Sequence, residues 1–292
     1  MSIMRRVMYV LRNSGVRQTF RKGYRTVVRY GLSREKMRDN IRSFVDVCAE
    51  EGTKGCTLFI PGTTVTNERE LVGEIGGRAE FGLHGLRHIC YDAVDYQSQL
   101  SDFTEGWDIF KSLGLQAKIF RAPYGRTNAE TFRALKELGC TIDSSRAYCW
   151  PIGDKTNGLY DEVLKEYCLL EASVPHEENG VIELPLSLPD DEMLADRLNL
   201  SPEKVAGIWS KCAKMASERN QVFVLQLHPH RMKKYGAAMR AAIRTAKDSG
   251  MWVGSIGNLV EAWRGTGQRA LSGGALCLSG DIEAMNLIEW LK

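Results

Sequence analysis

A chain of 292 residues, 43% hydrophobic and 26% charged, has the make-up of a soluble globular protein with material for a large core. No apolar run approaches the ~20 residues of a membrane-spanning helix, which excludes that class. The net charge of +3 is unevenly spread: residues 1–34 hold nine Arg or Lys and no acid, leaving about −6 for the rest.

The opening stretch, residues 1–24, is basic, and Arg12 breaks its apolar part. With no small-residue cleavage site it does not read as a signal peptide. Its charge suits a membrane surface, a lipid-phosphate-linked substrate or nucleic acid, and equally a solvated helix at a domain edge. No nucleic-acid-binding motif accompanies it, so none is expected as a partner. The eight cysteines include no C-x-x-C, which points to reduced thiols and a cytoplasmic location, peripheral to a membrane if the basic segment engages lipid.

In chain order, strands are predicted at RTVVRY (25–30), CTLFI (56–60), AEFGL (79–83), AKIFR (117–121), CTID (140–143), VIELPLSL (181–188), VFVLQLH (222–228) and WVGSI (252–256). Helical patterns lie between them. Ser33 is placed to cap the first, and Ser201 with Pro202 opens the one after VIELPLSL. Residues 151–180 break the rhythm, as a loop, a short helix around LYDEVLKEY and a turn at HEENG. The tail GALCLSGDIEAMNLIEWLK reads as a strand and a helix packed on the outside. The alternation predicts a single α/β domain, a distorted (β/α) barrel over residues 25–265, preceded by the basic segment 1–24 and followed by an extension, 266–292.

Two of the five histidines, His84 and His88, stand four apart directly after AEFGL. In a parallel barrel, groups just past a strand's C-terminal end face the active-site mouth. Two imidazoles at i and i+4 there can bind zinc or another divalent ion. Arg121 follows another strand, in FRAPYGRTN, and His228 ends a third, in VLQLHPH. A polar group at one strand end is commonplace; at three on one face it points to a site.

These motifs resemble the NodB-like polysaccharide deacetylase family. HGLRH corresponds to its H-[S/T]-x-x-H metal pair, with Gly85 in place of the hydroxyl residue. RAPYG matches its R-x-P-[YF] turn, LQLHPH its Leu-x-His strand, and GTKGCTLFIPG (52–62) its second-strand pattern. The resemblance implies a distorted barrel and hydrolysis of an N-acetyl group on an amino sugar, with a divalent metal activating water and polarising the carbonyl. It implies His84 and His88 as metal ligands, the Tyr124 backbone N–H at the oxyanion and His228 as the acid for the leaving amine. Arg121 would orient a carboxylate, with Asp143 the nearest match for that partner. The implied partner is an N-acetylated sugar or glycan, lipid-linked forms included.

The family's first motif, an aspartate pair ending strand one, is absent from RTVVRYGLS. Arg29 and Tyr30, or Val27 and Arg29, take those positions, and no acid precedes Glu35. Three readings follow. Another acid substitutes, with Asp190, Asp191 and Glu192 after VIELPLSL, or Glu80 and Asp92, as candidates. Alternatively the metal is lost and Arg29 recruits an anionic substrate. In the third, the barrel is a catalytically inactive module that binds a glycan or a partner. PDDE at 189–192 also matches the letters of a different sugar N-deacetylase signature, but lies far from that motif's N-terminal position; a turn and helix cap explains it as well. Most tryptophans fall on helices and belong to the core. Trp150, in a predicted loop, is expected to stack on sugar; with Arg29, Asp190 and Asp191 it makes up the expected substrate contacts.

Overall fold

The computed structural model describes residues 27–116, 118–152, 164, 165, 167, 169–268 and 272–291. Parallel strands β1 (Cys56–Ile60), β2 (Ala79–Leu83), β3 (Ile119–Phe120) and β4 (Ile142–Asp143) lie side by side in that order. A ribbon, β5 (Ala147–Cys149) with β8 (Leu186–Leu188), prolongs the pair that β4 forms with β7 (Val181–Glu183). β7 also turns back antiparallel onto β6 (His176–Glu178), where the HEENG turn was expected. On the far side of β1 runs β11 (Ala275–Asp281), paired in parallel with β1, β9 (Val222–Gln226) and β10 (Trp252–Gly254). No backbone ladder joins β8 to β9; instead the Val224 N–H donates to Ser187 Oγ at 2.9 Å. The result is the distorted barrel arrangement, with a seam in place of one ladder.

The alternation of side chains along each strand sorts the core into two layers. Leu58, Phe223, Leu225, Leu276 and Leu278 face the outer helices. Phe59, Ile119, Ile142, Ile182, Val224 and Cys277 form an inner cluster together with Ile256, Leu259 and Trp263 of the helix Ile256–Gly265. The outer helices follow the sequence pattern. The helix Glu35–Glu50 buries Met37, Ile41, Phe44, Val45 and Cys48, a stripe of helical period. Ser201 caps the helix Pro202–Arg219 by accepting from the Lys204 N–H, with Pro202 in its first turn. The described cysteines are all free thiols. No helix among the described residues is long and apolar enough to cross a membrane.

Two expectations change. Residues 27–30 are helical, not strand one, because Tyr30 is used as a packing residue. It is 1% exposed, and its ring lies against those of His230 and Trp290. The tail is not an appendage: every residue of β11 is buried, and the strand occupies the place between β9 and β1. Seven consecutive strand residues flanked by Gly273–Gly274 and Asn286 fit a fully covered strand better than a peripheral one. Residues 1–24 and most of LYDEVLKEY lie outside the described residues.

Candidate functional site

The inner series of each strand, continued past its C-terminal end, delivers a polar residue to one mouth. Val222 and Val224 lead to Gln226 and His228; Ala275 and Cys277 lead to Ser279, Asp281 and Glu283; Ile119 leads to Arg121. His84 follows Gly82 in the same way. The cavity there is lined by His84, His88, Arg121, His228, Asp281 and Glu283, with Tyr124, Asp190, Glu192 and Gln226 around them. His84, His88, Arg121 and His228, placed here from sequence, therefore converge.

Arg121, 1% exposed, is the hub. It donates to Asp281 Oδ1 at 2.8 Å, to Ser279 Oγ at 3.0 Å, and to the Ser144 carbonyl and hydroxyl, each at 2.9 Å. Its carboxylate partner is thus Asp281, not Asp143. Asp143 belongs to the outer series of β4, where its register neighbour is Glu183 and it accepts from the Ser145 N–H and hydroxyl. Burial raises both carboxyl pKa values there, and the mutual repulsion of Asp143 and Glu183 adds to the rise of Glu183.

His84 Nδ1 lies 2.8 Å from the Arg121 carbonyl. That carbonyl can only accept, so Nδ1 carries the proton and Nε2 presents its lone pair. Nε2 stands 4.0 Å from Asp281 Oδ2. Burial lowers the His84 pKa to about 4, against the opposing pull of Asp281, and burial lowers that of His88 too. Both imidazoles are therefore neutral at pH 7. Gly85, after His84, has φ +74°, and a Cβ there would come within 2.7 Å of Tyr91 Oη. The tyrosine hydroxyl, which accepts from the Leu86 N–H at 3.3 Å, fills the space a hydroxyl side chain would need.

Glu283 accepts from the Tyr30 hydroxyl and lies 3.9 Å from Arg29 and 3.9 Å from His228 Nε2. Burial works against its charge, but His88, His228 and Arg29 outweigh it and hold the carboxyl down to about 2. His228 is held from behind by Asp191, which accepts from its backbone N–H at 2.9 Å and bonds its Nδ1 at 2.8 Å. Burial alone would lower the His228 pKa; the Asp191 charge and hydrogen bond reverse this and raise it to about 9. The same pair, with Arg231 2.9 Å away, holds Asp191 at about 2 despite its burial.

The remaining expected contacts fall as follows. Asp191 is 1% exposed, is paired with His228 and Arg231, and does not line the cavity. Asp190 lines the cavity, accepts from the Met193 N–H at 2.8 Å, and is pushed up to about 7 by burial and its neighbours Asp191 and Glu192. Arg29 pairs with Asp196 at 2.6 Å. Trp150 is 0% exposed and donates to Ser187 Oγ, with its ring packed on Tyr148 and Phe223, so no sugar can stack on it. Tyr124 has φ 62° in the turn Pro123–Gly125, its ring edge-on to His88. Of the acids once considered for the missing motif, Glu80 lies at the opposite end of β2, under the first turn of the Ile256–Gly265 helix, and Asp92 pairs with Arg126.

Sequence reading missed Asp281 and Glu283. Their signal was an apolar run, ALCLS, ending in two acids at spacing i, i+2. It stands at the far end of the chain from the strand that would carry the first motif. In space β11 pairs in parallel with β1, which sets Asp281 opposite Phe59 in the register.

The donor chemistry suits a divalent ion: two neutral imidazoles, one fixed by a carbonyl behind it, with two carboxylates alongside. As the side chains stand, no three His, Cys, Asp or Glu among the described residues close into a ligand set.

Comparison with known proteins agrees on the fold. The polysaccharide deacetylase family model matches residues 10–142. A structure from Mycobacterium smegmatis described as a polysaccharide deacetylase superimposes with TM-score 0.64 at 21% identity, over 79% of this chain and 78% of that one. Another so described, from Pseudomonas aeruginosa PAO1, gives 0.64 at 15% identity over 79% and 74%. The PuuE allantoinase gives 0.62 at 16% identity over 79% and 74%. No curated protein matches. The chain thus shares the fold of these structures, and its residues 10–142 match the polysaccharide deacetylase family model.

Proposed function

We propose that the chain is a metal-dependent hydrolase that removes an N-acetyl group from an amino sugar or glycan. The observation that carries this reading is the arrival of Asp281 and Glu283, on the C-terminal strand, beside Arg121, His84, His88 and His228. These carboxylates supply the acids whose absence from the start of the chain favoured an inactive barrel.

His84, His88 and a carboxylate of the Asp281–Glu283 pair would hold zinc or another divalent ion, which when bound polarises the acetyl carbonyl and makes water a better nucleophile. Arg121 fixes Asp281 in one orientation, so that its second oxygen, facing the cavity, takes a proton from the attacking water. The Tyr124 backbone N–H, in the turn beside His88, would donate to the carbonyl oxygen as negative charge develops there. His228, kept protonated by Asp191, donates its proton to the departing nitrogen. Water's oxygen joins the carbonyl carbon, the C–N bond breaks, and acetate and an amine leave. The substrate is an N-acetylated sugar or glycan; the basic residues 1–24 would draw a lipid-linked form, or a membrane surface, towards the chain.

The test is acetate release from β-1,4-linked N-acetylglucosamine oligomers by the zinc-supplemented chain. The reading predicts release that a chelator suppresses and that Asp281→Asn reduces by at least about 100-fold. Equal release by wild type and Asp281→Asn would refute it. Cleavage of another amide alone would move the substrate, not the residues.

A further inference from the structure

One residue of the cavity has half of its chemistry unused. Gln226 is 5% exposed and stands two residues before His228 on the same face of β9, and both line the cavity. Its Nε2 donates to Asp281 Oδ2 at 2.9 Å. Opposite a carboxylate that is salt-bridged to Arg121, the amide nitrogen must be the half that faces Asp281, which fixes the other half as the acceptor. That acceptor, Oε1, is buried and has no partner among the described residues. Buried acceptors left without a donor are uncommon, and in a reaction cavity the missing donor is a group that the substrate brings.

We propose that Gln226 Oε1 accepts the N–H of the scissile amide, making Gln226 the residue that selects secondary amides over esters. The inference rests on the hydrolase reading above and deepens it. The departing nitrogen must lie next to His228, its proton source, and Gln226 is that residue's neighbour along the strand. An N–H held by Oε1 turns the nitrogen lone pair, which develops as the carbonyl is attacked, towards His228. An ester has no hydrogen to offer, and its alkoxide oxygen would face Oε1, acceptor against acceptor. A site built to receive an N–H discriminates against the analogue lacking it, because its own buried acceptor is then left unpaired. The Nε2 bond to Asp281 gives the residue a separate positioning role, felt equally by both substrate types.

The experiment uses two β-1,4-linked sugar oligomers that differ only at C2, one bearing an acetamide and the other an acetate ester. kcat/KM is measured for each on the zinc-supplemented full chain. The ratio of the two constants does not depend on how much of a variant is folded, so a poorly folding variant still gives an answer. Gln226→Met is expected to lower the amide-to-ester ratio about tenfold. Gln226→Glu, which keeps an acceptor but loses the donor to Asp281, should slow both substrates and hold the ratio near the wild-type value. An unchanged ratio in Gln226→Met, with both rates reduced, would show that the residue only supports Asp281 and would overturn the proposal. Wild-type turnover of neither oligomer would overturn the deacetylase reading itself.

Discussion

Replacing Asp191 with Asn tests the acid half of the site. Asn keeps the shape and an oxygen that can accept from His228 Nδ1, so the ring's position and tautomer are preserved, but the charge is gone. In the native site His228 titrates at about 9, against an ordinary 6.5, although burial alone pulls it downwards. A rise from 6.5 to about 9 corresponds to about 3 kcal/mol of preference for the protonated ring, most of it from Asp191 and the rest from Glu283 and Asp281. Without Asp191, only the charges of Glu283 and Asp281 oppose burial, and the value falls. A fall to the ordinary 6.5 would take the protonated fraction at pH 8 from roughly nine-tenths to roughly 3%, about a 30-fold loss in kcat/KM. The assay is the pH profile of kcat/KM for acetate release; its alkaline limb should move down from near 9. The raised His228 value also stabilises the fold, fully below about 6.5 and lost as pH rises through 9, so the variant should lose stability chiefly at neutral pH and below. An alkaline limb that stays near 9 in Asp191→Asn would refute the assignment of His228 as the acid.

Arg121→Met should destabilise the chain by about 3–5 kcal/mol in urea unfolding, since it strands the Asp281 carboxylate in a buried site; adding Asp281→Asn should recover part of that loss. Trp150→Phe should lower the thermal midpoint, through the lost bond to Ser187 and the lost ring volume, yet leave the KM for glycan unchanged, where a stacking platform would raise it. Burial and the neighbouring Asp143 raise the Glu183 carboxyl well above its unfolded value of 4.5, so native stability falls as pH rises past that value. Glu183→Gln, whose oxygen can still accept from the Arg146 N–H, should flatten this decline between pH 5 and 8 and raise the thermal midpoint at pH 7.5.

Strand-helix alternation made the architecture legible, and it made legible the half of the site that lies at strand ends in the expected order. His84, Arg121 and His228 each close an apolar run, and a parallel sheet brings such ends together whatever their separation along the chain. RTVVRY misled because β-branched residues report packing context more than backbone preference. Here Tyr30 serves as a lid residue on Glu283, and Val27 and Val28 are exposed. Trp150 misled because nothing local distinguishes a loop from the last turn of a buried ribbon; its backbone N–H bonds the Leu188 carbonyl, a contact made across 38 residues of chain. Asp281 and Glu283 were visible as letters but not as partners of Arg121, because pairing across 160 positions is set by β11 inserting between β9 and β1. Asp143 illustrates the converse. It has the right type at a strand end, yet it falls on the outer parity of β4, and one residue of register decides the face.

The central claim is that the C-terminal acids belong to one metal-dependent site with the histidine pair. Zinc binding by titration calorimetry, on wild type, Glu283→Gln and His88→Ala, tests it most directly. The account predicts about one ion per wild-type chain, with affinity reduced at least about tenfold by either change. A wild-type chain that takes up no zinc, or a Glu283→Gln variant that binds it as tightly as wild type, would contradict the account.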